Sequence, residues 1–155
     1  EDIVEMISSK WVEAISVMKM KFPDYNFFWK LHPAQKTDHL WKSITNRIQY
    51  KYPEITILIP EENAQKWILK SKVIVGEVSS VLWWSSFFAT KITISLDIFG
   101  ISFMDFFKNY DGVHYFNSLE DLYTTDFTKQ NEELTAKETK PTLSDFLDDV
   151  LQLNK

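Results

Sequence analysis

Apolar residues recur at spacings of three and four at the start of the chain, which is the period of one helix face. We predict an amphipathic helix that ends near Phe22, because the residue before a proline disfavours helical dihedral angles and Pro23 follows. The apolar positions of this first helix are Ile3, Ile7, Trp11, Ile15 and Met18.

Short runs rich in β-branched and aromatic residues alternate with helix-like segments along the rest of the chain. The runs predicted as strands are 25–31, 55–59, 72–75, 91–96 and 113–116. The segments predicted as helices are 34–50, 61–69, a stretch from Ser79, 101–110, a stretch from Ser118, and 142–153. Glu61 and Glu62 fall in the first turn of the third predicted helix, where acids are favourable against the helix dipole.

This alternation predicts a parallel sheet with helices on both of its faces. With right-handed crossovers, the expected fold class is α/β, a Rossmann-like three-layer αβα sandwich with a parallel sheet of about five strands. The length of 155 residues suits one domain, which we place at 3–153.

Composition narrows the function classes. The net charge of -5 argues against general nucleic-acid binding, which needs clustered Lys and Arg. The chain has no Cys, which excludes disulfides and thiolate chemistry and fits a reducing compartment. With only three Gly it cannot form a glycine-rich phosphate loop.

The ends of the sequence suggest a piece of a larger protein. It begins Glu1-Asp2 without a Met, shows no basic-then-apolar leader pattern, and opens directly into helix-like sequence. No apolar stretch approaches the roughly 20 residues of a transmembrane helix. We therefore expect a fragment with no transmembrane segment.

Two short polar motifs follow predicted strands and carry the candidate chemistry. Lys30-Leu31-His32-Pro33 follows the first strand, and Gly76-Glu77-Val78-Ser79-Ser80 follows the third. If these strands are parallel neighbours, both motifs face one crevice at the carboxyl edge of the sheet, where α/β proteins bind ligands. An imidazole and a helix that begins with serines suit an anion, most simply a nucleotide phosphate.

Each of these residues also has a purely structural interpretation. His32 could bond only to a neighbouring loop, and Ser79 could be an ordinary helix cap. Glu77 could bind a ribose hydroxyl, position His32, or remain a solvated loop charge. Lys30 could offset phosphate charge or simply point outward from its strand. The joint placement of the two motifs favours the phosphate interpretation.

The motif pair resembles the His-Pro and Ser-Ser/Thr motifs of bacterial GT-B sialyltransferases and polysialyltransferases. Its residues are Lys30-Leu31-His32-Pro33 and, about 45 residues later, the stretch Val75-Gly76-Glu77-Val78-Ser79-Ser80-Val81-Leu82. The segments 91–96 and 115–122 also sit where such proteins carry a strand and a late helix. The resemblance spans roughly Tyr25 to Leu122.

The resemblance implies the C-terminal, nucleotide-sugar donor-binding domain of a two-domain GT-B glycosyltransferase. The donor would be CMP-sialic acid, and sialic acid would pass to a surface glycan acceptor, as in capsule or lipooligosaccharide biosynthesis. His32 would contact the CMP phosphate and act as the general acid, and Ser79 and Ser80 would bind the same phosphate. Lys30, Pro33, Gly76 and Glu77 would complete the donor site.

The same resemblance implies expectations for cofactors, partners and cellular location. Such enzymes need no metal or other cofactor, act in the cytoplasm or at the inner membrane surface, and take their general base from the N-terminal acceptor domain. Here Tyr110-Asp111-Gly112 lies after the fourth strand, too late to supply that base. The fragment alone would then bind nucleotide without turnover, and its partners would be the donor, the acceptor and its own N-terminal domain.

Three alternatives stay open. Polyol-phosphate polymerases of teichoic-acid synthesis, which use CDP-glycerol, share similar motifs. A non-catalytic Rossmann-like binding module is another possibility, although His32-Pro33 stands where a receiver domain needs an acidic cluster. An interaction domain that docks through its aromatic side chains is the third.

Overall fold

A computed structural model describes residues 3–77, 79–88, 91–99 and 104–127. For residues 104 and 105 it describes the backbone alone. Contacts divide the chain into two compact units, which meet in the sequence between Asn63 and Ala64. Each unit is described by itself. The predicted final helix at 142–153 lies outside the described residues.

The first unit combines two helices with a pair of parallel strands. Its elements in chain order are α1 (Ile3–Lys21), β1 (Phe28–Lys30), a 3₁₀ helix (Pro33–Gln35), α2 (His39–Lys51) and β2 (Thr56–Leu58). Strands β1 and β2 pair in parallel, with Lys30 opposite Leu58. Both strands therefore end at the same edge of their sheet.

Aromatic and polar contacts hold α1 and α2 to β1. The ring of Trp11 on α1 meets Trp29 of β1 edge-on, with centroids 5.1 Å apart. The indole Nε1–H of Trp29 donates to Thr45 Oγ1 on α2 at 3.1 Å. Ile44 and Ile48 of α2 are fully buried in this core. One residue of β1 therefore contacts both helices.

The described part of the second unit is built on three parallel strands. Its elements are α3 (Ala64–Lys70), β3 (Val73–Gly76), α4 (Ser80–Ser86), β4 (Ile92–Leu96), a 3₁₀ helix (Met104–Phe107), β5 (His114–Phe116) and α5 (Leu119–Thr124). The strand order is β3-β4-β5, and both pairings are parallel. Every residue of the central strand β4 is buried.

A hydroxyl pair joins α4 to β4 inside this unit. Ser85 Oγ donates to Leu82 O at 2.9 Å and lies 2.8 Å from Thr93 Oγ1. Ser85 and Thr93 are fully buried, and Leu82 is almost fully buried. The polar residues of an otherwise apolar helix are thus satisfied where it covers the sheet.

The structure confirms a mixed α/β chain with parallel strands, in sheets of two and three strands. The five strands fall within the five predicted runs or within one residue of them. A single sheet with β1 beside β3 stays a prediction.

Two helix starts were predicted wrongly. The second helix begins at His39 and not at 34, because Asp38 caps it by accepting from Leu40 N–H at 2.8 Å. The third begins at Ala64, so Glu61 and Glu62 are not in its first turn. They belong to a turn after β2, closed by Glu62 N–H donating to Ile59 O at 3.0 Å.

Candidate functional site

His32 lies two residues after β1 and caps the 3₁₀ helix that follows. Its Nδ1 atom accepts from the Ala34 N–H at 3.1 Å. In return, Gln35 Oε1 accepts from the His32 N–H at 3.0 Å. This reciprocal arrangement is a capping box, and Pro33 occupies the first helical position, where its missing N–H costs nothing.

The cap bond fixes the chemistry that His32 can offer. Because Nδ1 accepts a hydrogen bond, the proton of the neutral ring resides on Nε2. The side chain is exposed, so Nε2–H is available as a donor to a ligand. A proton on both nitrogens would require the Ala34 bond to break. The local geometry therefore suits hydrogen-bond donation to an anion better than proton transfer.

Lys30 ends β1 and ties the ends of the two strands of its sheet together. Its Nζ donates to Pro60 O at 2.7 Å and to Leu31 O at 3.2 Å. Burial lowers the pKa of Lys30, while the Glu62 and Glu61 carboxylates act in the opposite direction. Lys30 thus has a structural role at the carboxyl edge of the β1–β2 sheet, beside its predicted role near phosphate.

The turn after β2 brings acids to this same edge. Glu61 forms an ion pair with Lys36, which follows the 3₁₀ helix of the His32 motif. Hydrogen bonding to Lys36 lowers the pKa of Glu61, whose side chain is exposed. The carboxyl edge of the β1–β2 sheet therefore presents an imidazole N–H together with lysine and glutamate charges.

Ser79 begins α4 in the second unit. Its extended backbone and its Oγ, which accepts from the Val81 N–H at 3.0 Å, make it an ordinary N-cap. Ser80 follows as the first helical residue and is exposed. Within the described residues, Ser79 Oγ accepts the cap bond and keeps its O–H as a donor, and the neighbouring Ser80 is exposed.

Gly76 and Glu77 lie between β3 and this helix. A Cβ atom built at Gly76 would contact only the Leu82 side chain, at 3.8–4.0 Å, which is ordinary van der Waals distance. Packing of the unit therefore does not require glycine here. Burial raises the pKa of the Glu77 carboxyl.

A polar cluster outside the two motifs lies at the end of β4. Tyr115 of β5 donates its O–H to Asp97 Oδ2, and the Asp97 N–H donates to Phe116 O at 2.8 Å. Ser95 precedes Asp97 by two residues and pairs with Gly76 and Tyr115 in the sheet. The available signal was polar Thr93, Ser95 and Asp97 alternating with apolar residues in a buried strand.

The predicted site residues thus fall into two groups. Lys30, His32 and Pro33 belong to the first unit, and Gly76, Glu77, Ser79 and Ser80 belong to the second. Within each unit the motif directly follows a parallel strand and begins a helix, as predicted. That the two groups share one ligand stays a prediction.

Comparison with protein-family models, with curated proteins and with solved structures gives no match for this chain. In the part of the chain that the structure describes, no helix has the length and apolar character to cross a bilayer. Over the same residues, no three His, Asp or Glu side chains are grouped closely enough to hold a metal ion.

Proposed function

We propose that this chain binds the nucleotide-sugar donor of a glycosyltransferase, with CMP-sialic acid as the donor and a surface glycan as the acceptor. The observation that carries the proposal is the local setting of the two motifs. His32 follows β1 and begins a 3₁₀ helix, while Ser79 follows β3 and begins α4. Carboxyl ends of parallel strands are where α/β proteins bind nucleotides.

The proposal includes the Rossmann-like sandwich of about five parallel strands, one half of a GT-B fold. Two observations support it. Every described strand pairing is parallel. Each of the five strands is followed along the chain by a helix or 3₁₀ helix, as repeated βα units require.

In the proposed reaction, the bond between the anomeric carbon of sialic acid and the CMP phosphate oxygen breaks. The electron pair stays with that oxygen, so negative charge develops on the departing phosphate. An acceptor hydroxyl oxygen forms the new glycosidic bond and gives its proton to a base. The resemblance places that base on the N-terminal domain of such enzymes.

His32 is assigned to the departing phosphate. Its Nε2–H donates a hydrogen bond to a phosphate oxygen, and that bond strengthens as charge develops. Full proton transfer from the ring would need the Nδ1 atom to exchange its bond with Ala34 for a proton. We therefore assign His32 electrostatic stabilisation of the leaving group, with the general-acid role secondary.

Ser80 and the start of α4 are assigned to the same phosphate. Ser79 Oγ accepts the cap bond from the Val81 N–H and keeps its O–H as a donor, and the exposed Ser80 hydroxyl supplies a second donor. Glu77 and Lys30 complete the proposed donor site, the first with a half-buried carboxyl and the second at the edge of the β1–β2 sheet. The assignment of both motifs to one phosphate rests on the sequence resemblance.

Ligand-induced thermal stabilisation tests the donor class. CMP and CMP-sialic acid should raise the unfolding temperature of the full chain, and CDP-glycerol should not. Stabilisation by CDP-glycerol alone would favour the polyol-phosphate transferase. If no nucleotide stabilises the folded chain, the nucleotide-binding proposal fails, and a binding or interaction module is the better description.

A further inference from the structure

The segment 64–96 differs in charge from the rest of the chain. The whole chain has a net charge of -5, yet this segment has four Lys and a single acid, Glu77. It also holds three of the six Trp, namely Trp67, Trp83 and Trp84. Positive charge and large aromatic rings are therefore concentrated in α3, α4 and the strands beside them.

Lysines line the exposed side of α3. Lys66 and Lys70 are exposed, and their Nζ atoms lie 5.6 Å and 5.5 Å from the centre of the Trp67 ring. Leu69 lies between these lysines in the sequence and is 63% exposed. The buried residue of this helix is Ile68. The outer side of α3 therefore presents lysines together with a leucine.

Lys91 connects α3 with the residues that follow α4. Its Nζ donates to Leu69 O at 3.0 Å and to Ser71 O at 2.6 Å, at the carboxyl end of α3, where the helix dipole favours a cation. The same atom lies 5.6 Å from the centre of the Phe88 ring. Lys72 is exposed and precedes β3, as Lys91 precedes β4. Because β3 and β4 are parallel neighbours, both lysines lie at the amino edge of their sheet.

The side of α4 opposite its buried residues is aromatic. The buried residues of α4 are Leu82, Ser85 and Ser86. With about 100° between successive residues, Trp83, Trp84 and Phe87 lie on the other side of the helix, and each is partly exposed. The Trp83 and Phe87 rings meet edge-on with centroids 4.8 Å apart. This helix thus presents aromatic rings where a surface helix ordinarily presents polar residues.

The combination of residue types selects the partner. Lysine is depleted in protein–protein interfaces, and planar recognition of nucleic-acid phosphates favours arginine, which the segment 64–96 lacks. Lysines beside leucine and tryptophan are instead typical of surfaces that lie in the headgroup region of a membrane. The ammonium groups attract anionic headgroups, and the leucine and the rings enter the boundary between headgroups and acyl chains.

We propose that this lysine–aromatic surface binds the face of an anionic lipid bilayer. Its lysines at the amino edge of the β3-β4-β5 sheet lie at the opposite end of the strands from Gly76, Glu77 and Ser80. The proposal does not rest on the proposed function. The residues of the lysine–aromatic surface are Lys66, Leu69, Lys70, Lys72, Lys91 and the outer aromatic residues of α4.

Vesicle sedimentation of the full chain tests this surface. The chain should bind vesicles of equimolar phosphatidylglycerol and phosphatidylcholine, and added NaCl should weaken that binding. Vesicles of phosphatidylcholine alone should bind at least about tenfold more weakly. Lys66→Gln/Lys70→Gln should lower the affinity for anionic vesicles at least about tenfold. The matched control Lys42→Gln/Lys51→Gln removes two exposed lysines of α2 and should bind like the parent.

Leu69→Gln tests the apolar part of the surface and should weaken anionic vesicle binding about fivefold. Because Lys66, Leu69 and Lys70 are exposed, the variants should unfold at the same denaturant concentration as the parent. The proposal is overturned if anionic vesicles do not bind, if phosphatidylcholine vesicles bind equally well, or if neither the double lysine variant nor Leu69→Gln weakens binding. Polyglutamate binding that requires these lysines, without vesicle binding, would also overturn it and assign the surface to an acidic protein partner.

Discussion

The Nδ1 atom of His32 accepts a hydrogen bond from the Ala34 N–H at 3.1 Å, and this bond decides which ring nitrogen can meet a ligand. The same residue therefore has a structural role and a candidate functional one. The cap uses Nδ1, and the proposed phosphate contact uses Nε2. The two roles can be separated by substitution because they use different atoms.

Replacing His32 by Asn should keep the cap and remove the imidazole. Asn is a preferred N-cap residue, so its side-chain oxygen can accept from the Ala34 N–H in place of Nδ1. We expect His32→Asn to unfold at the same denaturant concentration as the parent. His32→Ala should lose about 1 kcal/mol of unfolding free energy, measured by urea titration. Equal stability of His32→Ala and the parent would show that the cap contributes nothing.

Gly76→Ala should not destabilise the chain. The added methyl contacts Leu82 at ordinary distance, and Ala restricts the unfolded chain more than Gly. We expect the unfolding free energy to stay the same or rise by about 0.5–1 kcal/mol. Urea denaturation measures this, and a clear loss of stability would mean that Gly76 is needed for packing and not for a ligand.

The buried Ser85–Thr93 pair should show coupling. Ser85→Ala removes a hydroxyl that lies 2.8 Å from Thr93 Oγ1 and leaves Thr93 buried without that partner, at a cost of about 1–3 kcal/mol. Thr93→Val should cost less, because Ser85 keeps its bond to Leu82 O. The double variant should lose less unfolding free energy than the sum of the two single losses. Strict additivity would mean that the two hydroxyls do not interact.

Glu77 should make stability fall as pH rises. Burial raises its folded pKa above the ordinary 4.5, so above that pH the folded chain holds a proton that the unfolded chain releases. The contribution of Glu77 to the unfolding free energy is fully present below pH 4.5. It is lost as the pH rises through the pKa of the folded state. Glu77→Gln should therefore be more stable than the parent at pH 7, with the difference vanishing in acid. Parallel stability curves for the two proteins would contradict this.

Local signals predicted the elements of this fold well. Ser79 and Ser118 cap helices where expected, and β4 runs from Ile92 to Leu96 as its apolar run predicts. Both features depend on neighbouring residues, whose effects can be read directly along the chain. The early start assigned to the second helix failed because a competing cap, Asp38, stops the helical pattern from extending back to Ala34.

The contacts of the candidate site could not be predicted as well from the sequence. Ser95 lies opposite Gly76 of the neighbouring strand, and that pairing depends on register. The Lys30 ammonium contacts Pro60 O, thirty residues away, where the ends of β1 and β2 meet. Such contacts arise only from tertiary structure, so spacing along the chain could not reveal them.

Calorimetric titration of the full chain with CMP tests the central claim most directly, with His32→Asn as the matched variant that keeps the cap. The account predicts saturable binding to the parent and an affinity at least about tenfold lower in His32→Asn, as expected for loss of a hydrogen bond to a charged phosphate. No CMP binding by the folded parent, or equal affinity in the two proteins, would contradict the assignment of His32 to a nucleotide phosphate.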